Sequence, residues 1–106
     1  MVNRHYDTFY IAGFTYWDGP DVFEELKVGV KLTLEAEPTN GYDPSAVKIL
    51  FKGTMLGYIP RGQNKEISKF LQLGYVDLFS ARISRVNPEE NIEEQISVTV
   101  KIRKKY

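Results

Sequence analysis

The chain has 106 residues, and its 14 basic and 14 acidic side chains give a formal net charge of zero. This length suffices for one compact core and not for two, so we expect a single domain over residues 1–106. A neutral balance argues against a protein that coats nucleic acid by charge alone, and the lack of cysteine excludes disulfides, thiolate catalysis and cysteine-bound zinc.

The first half of the chain predicts four strands. Residues 7–17 (DTFYIAGFTYW) are rich in aromatic and β-branched residues and favour a first strand, and the Asp-Gly-Pro that follows predicts a short helical turn before Gly29. Residues 31–37 alternate between apolar and polar side chains, which is typical of a strand buried on one face. Residues 46–52 and 55–59 are expected to pair as a hairpin around the Lys-Gly-Thr turn.

The second half predicts one main helix and two strands. The helix is expected near residues 64–73, because Asn64 is a good N-cap and Gly74 suits the left-handed position after a helix. Residues 78–86 and 95–103 alternate as strands. Six strands in so short a chain favour a small closed or nearly closed β-barrel, since closure removes exposed edges. The predicted core consists of Ile11, Leu32, Leu34, Val47, Ile49, Ile67, Phe70, Leu71, Ile83, Val98 and Val100.

The sequence gives little support for catalysis. The single histidine, His5, lies near the N-terminus without a partner in sequence reach, and no glycine-rich phosphate loop or nucleophile elbow is present. We therefore expect a protein that is not an enzyme and that needs neither a metal nor a cofactor. No apolar run approaches the roughly 18 residues of a membrane span and no secretory leader opens the chain, so we expect a cytoplasmic protein.

The segment EPTNGYDPSAV, residues 37–47, is longer than a hairpin needs. Asn40-Gly41 makes one turn, and Asp43-Pro44 can make a second in which the Asp43 carboxylate accepts backbone amides. Turn chemistry does not explain Tyr42, because an aromatic ring gains little in a turn unless it packs inward or meets a ligand. The ring therefore indicates a binding role.

Other rings and cations occur near helix and strand ends. Tyr16 and Trp17 precede a turn, and the segment GYIPRG places Tyr58 and Arg61 ahead of the helix. Aromatic rings stack on bases, while a cation and helix amides bind phosphate. Together these residues predict a site for single-stranded nucleic acid, although each ring alone is also explained by packing.

The order of these motifs resembles the HIRAN domain. AGFTYWDG, LEAEPTNGYDPSAVKI and GTMLGYIPRGQNKEISKFLQLG follow one another as they do in that family, and the resemblance covers residues 8 to about 100. It implies a mainly β fold, a six-stranded OB-like or SH3-like barrel with one main helix and a short helical turn. It also implies a DNA-binding module of the kind found in fork-remodelling helicases and nucleases and in small stand-alone bacterial proteins. A helicase or nuclease is then the expected partner, in DNA repair or processing.

The resemblance further implies recognition of the 3′ end of single-stranded DNA. In that role Tyr16 and Tyr42 stack on or flank the terminal bases, Asp43 accepts a hydrogen bond from the terminal hydroxyl, and Arg61 meets a phosphate. The same pocket is expected to include Asn40 and Tyr58. Helicase-type members tend to carry a basic residue where this chain has Thr15 and a histidine where it has Tyr58, and both changes weaken phosphate binding.

Three functions stay open at this point. The first is a module that binds DNA ends. The second is a protein-interaction or scaffold module that keeps the barrel while its DNA site has degenerated, which the absence of a basic residue at Thr15 favours. The third is an unrecognised enzyme.

Overall fold

The computed structural model describes residues 3–103, which form six strands, one α-helix and three short 3-10 helices. The strands are β1 (Asn3–Tyr10), β2 (Lys31–Ala36), β3 (Val47–Phe51), β4 (Thr54–Tyr58), β5 (Phe79–Val86) and β6 (Ile96–Arg103). The α-helix α1 spans Lys65–Gln72, and the 3-10 helices span Phe14–Tyr16, Gly19–Glu25 and Ile92–Glu94. Five strands and α1 thus lie within a residue or two of their predicted positions.

The strands form one antiparallel sheet in the order β1-β6-β5-β2-β3-β4. β1 and β4 are therefore the two edges. One isolated bridge links the segment after β1 to β4: Ala12 and Tyr58 exchange two backbone hydrogen bonds of 2.9 Å each. The six predicted strands are confirmed and form one antiparallel sheet, whereas closure into a barrel is not, because within residues 3–103 the edge strands β1 and β4 do not pair with each other.

The predicted first strand, residues 7–17, is wrong in its second half. β1 ends at Tyr10, and residues Phe14–Tyr16 form a 3-10 helix that follows Gly13 in the left-handed conformation (φ 71°). Glycine adopts this conformation without a steric penalty, so the chain turns at Gly13 despite its strand-like composition. The turn places Tyr16 and Trp17 beside β4, where the site described below lies.

The core is built mainly from the apolar faces of the strands and of α1. The alternation of β3, β5 and β6 buries Val47, Ile49, Ile83, Val98 and Val100, as predicted. Leu34 is only half-buried, and Phe14, Leu26 and Leu56 are core residues that the pattern did not reveal.

Phe70 was predicted to be buried and is not. α1 buries Ile67, Ser68 and Leu71, whereas 36% of Phe70 is exposed. Its ring lies at the side of the helix, edge-on to Phe79 and Tyr75. α1 therefore contacts the core along a narrower stripe than the apolar pattern indicated. Within residues 3–103, no helix has the length and apolar character needed to span a membrane.

Candidate nucleic-acid interface

The loop between β2 and β3 is held by the side chain of Asn40. Its Oδ1 accepts hydrogen bonds from the backbone N–H groups of Tyr42 (2.8 Å) and Asp43 (3.0 Å), while its Nδ2 donates to Glu37 Oε1 (2.7 Å). Such side-chain bonds to the next amides are the usual way in which asparagine stabilises a turn. The loop is therefore ordered by its own residues, and it projects the Tyr42 ring outward with 91% of the residue exposed.

The carboxylate of Asp43 connects this loop to the start of α1. Its Oδ1 accepts the Ser45 N–H (2.9 Å) and its Oδ2 accepts Asn64 Nδ2 (2.9 Å), and Asn64 is itself almost fully buried. The hydrogen bonds from Asn64 and then from Ser45, with the nearby charge of Arg61, lower the pKa of Asp43 below its ordinary value of 3.8. Asp43 is therefore ionised at neutral pH and can only accept hydrogen bonds.

Arg61 lies over the same loop. Its Nη2 donates to the carbonyl oxygen of Tyr42, and its Nε is 3.7 Å from Asp43 Oδ2. The side chain is still 77% exposed, so most of the guanidinium faces solvent. Its five donors form a planar fork of which one is used here, which leaves donors for a phosphate.

Tyr58, at the end of β4, is fixed from two directions. Its hydroxyl donates to Glu37 Oε1 (2.8 Å), and its ring meets the ring of Trp17 edge-to-face at 5.8 Å. Burial and the Glu37 hydrogen bond raise the pKa of Tyr58, while the bonds from Asn40 and Tyr58 lower the pKa of Glu37. Tyr58 is therefore a neutral, positioned ring at neutral pH.

These groups surround one pocket of about 260 Å³, called here the Asp43 pocket. Five of the six predicted site residues line it, and Tyr16 does not. The lining residues are Ala12, Asn40, Tyr42, Asp43, Ala46, Tyr58, Ile59, Arg61 and Asn64. Tyr16 lies on the adjacent 3-10 helix with 82% of the residue exposed, next in sequence to the Trp17 that packs on Tyr58. The Asp43 pocket thus combines aromatic rings, an anionic acceptor and a cation that is largely exposed to solvent.

Two residues that hold the site together, Asn64 and Glu37, were not predicted from the sequence as contributors. Asn64 was expected only as a helix cap, yet no side-chain cap hydrogen bond is formed and its amide holds Asp43. Glu37 falls on the polar face of the predicted strand 31–37, yet it anchors both Asn40 and Tyr58. Trp17, which the sequence placed among the candidate rings, packs against Tyr58. Partners so distant in sequence carry no periodic signal, so only the fold reveals them.

Comparison with known proteins decides the family. The family model of the HIRAN domain matches residues 7–103. The chain belongs to the HIRAN domain family. HIRAN domains bind DNA, and the family is the one that the sequence resembles.

Two solved structures share the fold of this HIRAN domain. A protein from Lactobacillus plantarum superposes with a TM-score of 0.79 at 21% identity, covering 95% of both chains. The HIRAN domain of human HLTF superposes with a TM-score of 0.68 at 13% identity, covering 94% of this chain and 78% of that one.

Part of the chain is also similar to a much longer protein. The Fanconi-associated nuclease 1 homolog of Oryza sativa subsp. japonica is 39% identical over 57 residues, which are 50% of this chain. The matched part is 6% of that relative's length.

Among residues 3–103 of the present chain, no group of three or more histidine, aspartate or glutamate residues is placed to hold a metal ion.

Proposed function

We propose that this HIRAN domain binds single-stranded DNA by its 3′ end, with the terminal nucleotide in the Asp43 pocket. The observation that carries the proposal is the position of the Asp43 carboxylate, which is ionised, held by Ser45 and Asn64, and set among exposed rings and Arg61. A carboxylate repels the phosphates of an internal stretch of strand. A terminal hydroxyl, by contrast, is a donor that a carboxylate accepts.

The hydrogen bonds that hold Asp43 leave room for this donor. A carboxylate offers about four acceptor positions, and Ser45 and Asn64 occupy one on each oxygen. One oxygen can therefore serve the protein and the ligand together. Arg61, 3.7 Å away, is placed to neutralise the phosphate that precedes the terminal sugar.

The rings supply the second part of the binding free energy. Tyr42 projects from the loop, Tyr58 is fixed by Glu37 and Trp17, and Tyr16 lies exposed on the neighbouring 3-10 helix. Stacking of a base on an aromatic side chain contributes about 1–3 kcal/mol and tolerates any base. The domain is then a non-catalytic module that binds strand ends and acts together with a nuclease or helicase in DNA repair or processing.

The end-recognition claim is tested with 5′-labelled oligonucleotides that differ only at the 3′ terminus. A 3′-phosphate removes the donor and adds charge beside Asp43, so it should weaken binding by about 10- to 100-fold, since a hydrogen bond to a charged group contributes about 1.5–3 kcal/mol. Asp43→Asn should bind the two termini within about threefold of each other, because asparagine keeps the turn but carries no charge. The affinities are measured by fluorescence anisotropy.

Two controls separate end recognition from a general charge effect. An unlabelled competitor with a 5′-phosphate carries equal charge at the other terminus and should displace the labelled strand as well as a 5′-hydroxyl competitor does. Asp21→Asn removes an exposed carboxylate outside the Asp43 pocket. Equal wild-type affinity for 3′-hydroxyl and 3′-phosphate termini would reduce Asp43 to a turn residue.

A protein-interaction module is the second candidate, and one observation favours it. Leu73, Tyr75 and Val76 follow α1 with more than half of each residue exposed, beside the partly exposed Phe70. An exposed apolar group of this kind often marks a contact with another protein. Absence of any single-strand binding by the wild-type protein would make this reading the better one.

A further inference from the structure

A second depression lies beside the Asp43 pocket, along α1. It has a volume of about 450 Å³ and is called here the α1 groove. Ser45 lines one side, and Lys65, Glu66, Ser68, Lys69 and Gln72 of α1, with Leu73 at its end, line the other. Six of these seven residues are polar or charged, and Leu73 is apolar.

The α1 groove and the Asp43 pocket are lined by neighbouring residues of the same two segments. Asp43 lines the pocket and Ser45, two residues on, lines the groove; Asn64 lines the pocket and the next residue, Lys65, lines the groove. The hydrogen bond from Asn64 Nδ2 to Asp43 Oδ2 (2.9 Å) joins the two segments at the boundary. The pocket and the groove therefore lie on either side of this hydrogen-bonded pair.

The two lysines suit a sugar–phosphate backbone. Lys65 and Lys69 are exposed, and neither forms an ion pair within residues 3–103, where the salt bridges involve only Lys48 and Arg61 as cations. Residues four apart on a helix have Cβ atoms about 5–6 Å apart, so the two ammonium groups can meet phosphates in succession.

One carboxylate, Glu66, also borders the α1 groove. It is close to Tyr6 of β1, and burial together with the Glu66 charge raises the pKa of that tyrosine. With Lys65 and Lys69 against this one carboxylate, the groove keeps a net positive charge.

The other side of the Asp43 pocket has the opposite charge. Asp18 donates its backbone N–H to Met55 of β4, and the Glu93 carboxylate accepts the N–H of Gly13 ahead of the 3-10 helix that carries Tyr16. Asp21 and Glu94 are also exposed in these segments. Phosphates that left the pocket in this direction would meet carboxylates, which disfavours that path.

We infer that a DNA strand whose 3′ end occupies the Asp43 pocket runs in the 5′ direction along the α1 groove, with successive phosphates neutralised by Lys65 and Lys69. This inference rests on the proposed function and adds the path of the strand outside the pocket. It makes the affinity depend on strand length, because a dinucleotide ends before the groove and a decanucleotide fills it.

The test compares a dT dinucleotide with a dT decanucleotide over a range of salt concentrations, using wild type and the double variant Lys65→Gln/Lys69→Gln. Each phosphate contact on a single strand contributes about 0.7 to the slope of log affinity against log salt. The double variant should lower the slope for the decanucleotide by about 1.4 and leave the dinucleotide affinity unchanged. The matched control is Lys31→Gln/Lys101→Gln, which removes the same charge from two exposed strand residues that line neither depression.

The outcomes are separable from those of the proposed function. A decanucleotide slope that is unchanged in the Lys65/Lys69 variant, or equally lowered in the Lys31/Lys101 control, would overturn the path while end binding stands. Failure of the wild type to bind either oligonucleotide would overturn the proposed function and the path with it.

Discussion

Asp43 and Asn40 shape the Asp43 pocket mainly through hydrogen bonds to neighbouring backbone and amide groups. Asn40 accepts two successive backbone amides, and Asp43 accepts one backbone amide and the amide of Asn64. All of these bonds are made within the chain itself, so the proposed function does not require the loop to become ordered on binding. A preorganised loop lowers the entropic cost of binding.

A substitution of Tyr42 should change binding affinity with little effect on folding stability. With 91% of the residue exposed, the ring makes little packing contact, and Arg61 bonds to its backbone oxygen rather than to its side chain. Tyr42→Ala should therefore weaken single-strand binding by about 1–3 kcal/mol, the range for a lost base–aromatic stack. Its free energy of unfolding should stay within about 0.5 kcal/mol of wild type.

The control for Tyr42 is Tyr10→Ala, which removes a partly exposed ring that does not line the pocket. Anisotropy titrations and urea unfolding measure the two quantities. If Tyr42→Ala folds normally and keeps its full affinity, stacking on this ring has no part in binding and the protein-interaction reading gains support.

At the residue scale, the sequence predicted which rings and charged side chains line the pocket better than it predicted the residues that hold them in place. Tyr42 stood out because turn chemistry leaves it unexplained, and Asp43 because it is a carboxylate next to a ring. Asn64 could not be predicted as a partner of Asp43, since 21 residues separate them and the helix-cap role explains an asparagine there. The pairing depends on where α1 begins relative to the loop, which only tertiary packing determines.

At the scale of elements, the segment after β1 meets β4 through one close backbone approach. Gly57 has φ 149°, and a Cβ there would lie 2.5 Å from the Ala12 oxygen and 2.6 Å from Ile11 Cγ2. Only glycine lets the Ala12–Tyr58 bridge form at this distance. The bridge in turn holds Tyr58 in the pocket wall and the Phe14–Tyr16 helix beside it.

Gly57→Ala should therefore destabilise the fold by at least about 2 kcal/mol, because the clash involves a backbone oxygen that cannot rotate away. Gly62→Ala is the matched control: a Cβ there would have no atom within 4 Å, and its effect should stay within about 0.5 kcal/mol. Urea unfolding measures both. Equal stability of the two variants would show that the approach of β4 to Ala12 is not needed for folding.

Strand periodicity predicted most elements and failed where backbone conformation overrides composition. β2 to β6 and α1 follow from alternation, turn residues and a helix-end glycine. Residues 11–17 have the composition of a strand, yet a left-handed Gly13 turns them into a short helix. Phe70 matches the apolar spacing of α1 and is still partly exposed, since the width of the buried stripe depends on the sheet beneath it.

At the scale of the whole molecule, a net charge of zero conceals an uneven distribution around the Asp43 pocket. Arg61, Lys65 and Lys69 lie on the side of α1, while Asp18 and Glu93 lie on the side of the 3-10 helices. Under the proposed function, a neutral protein with this arrangement binds DNA through one oriented site rather than by overall attraction. Its affinity should therefore depend more on whether the DNA has a free strand end than on how many phosphates and bases it offers.

The most direct test of that claim is a competition between linear and circular single strands of the same sequence. The circle keeps the bases and the phosphates and lacks only the ends. The wild-type domain should be displaced from a labelled oligonucleotide by the linear strand at a concentration at least about tenfold lower than by the circle, the factor that 1.4 kcal/mol of end-specific binding provides. Equal competition by the two strands would contradict end recognition.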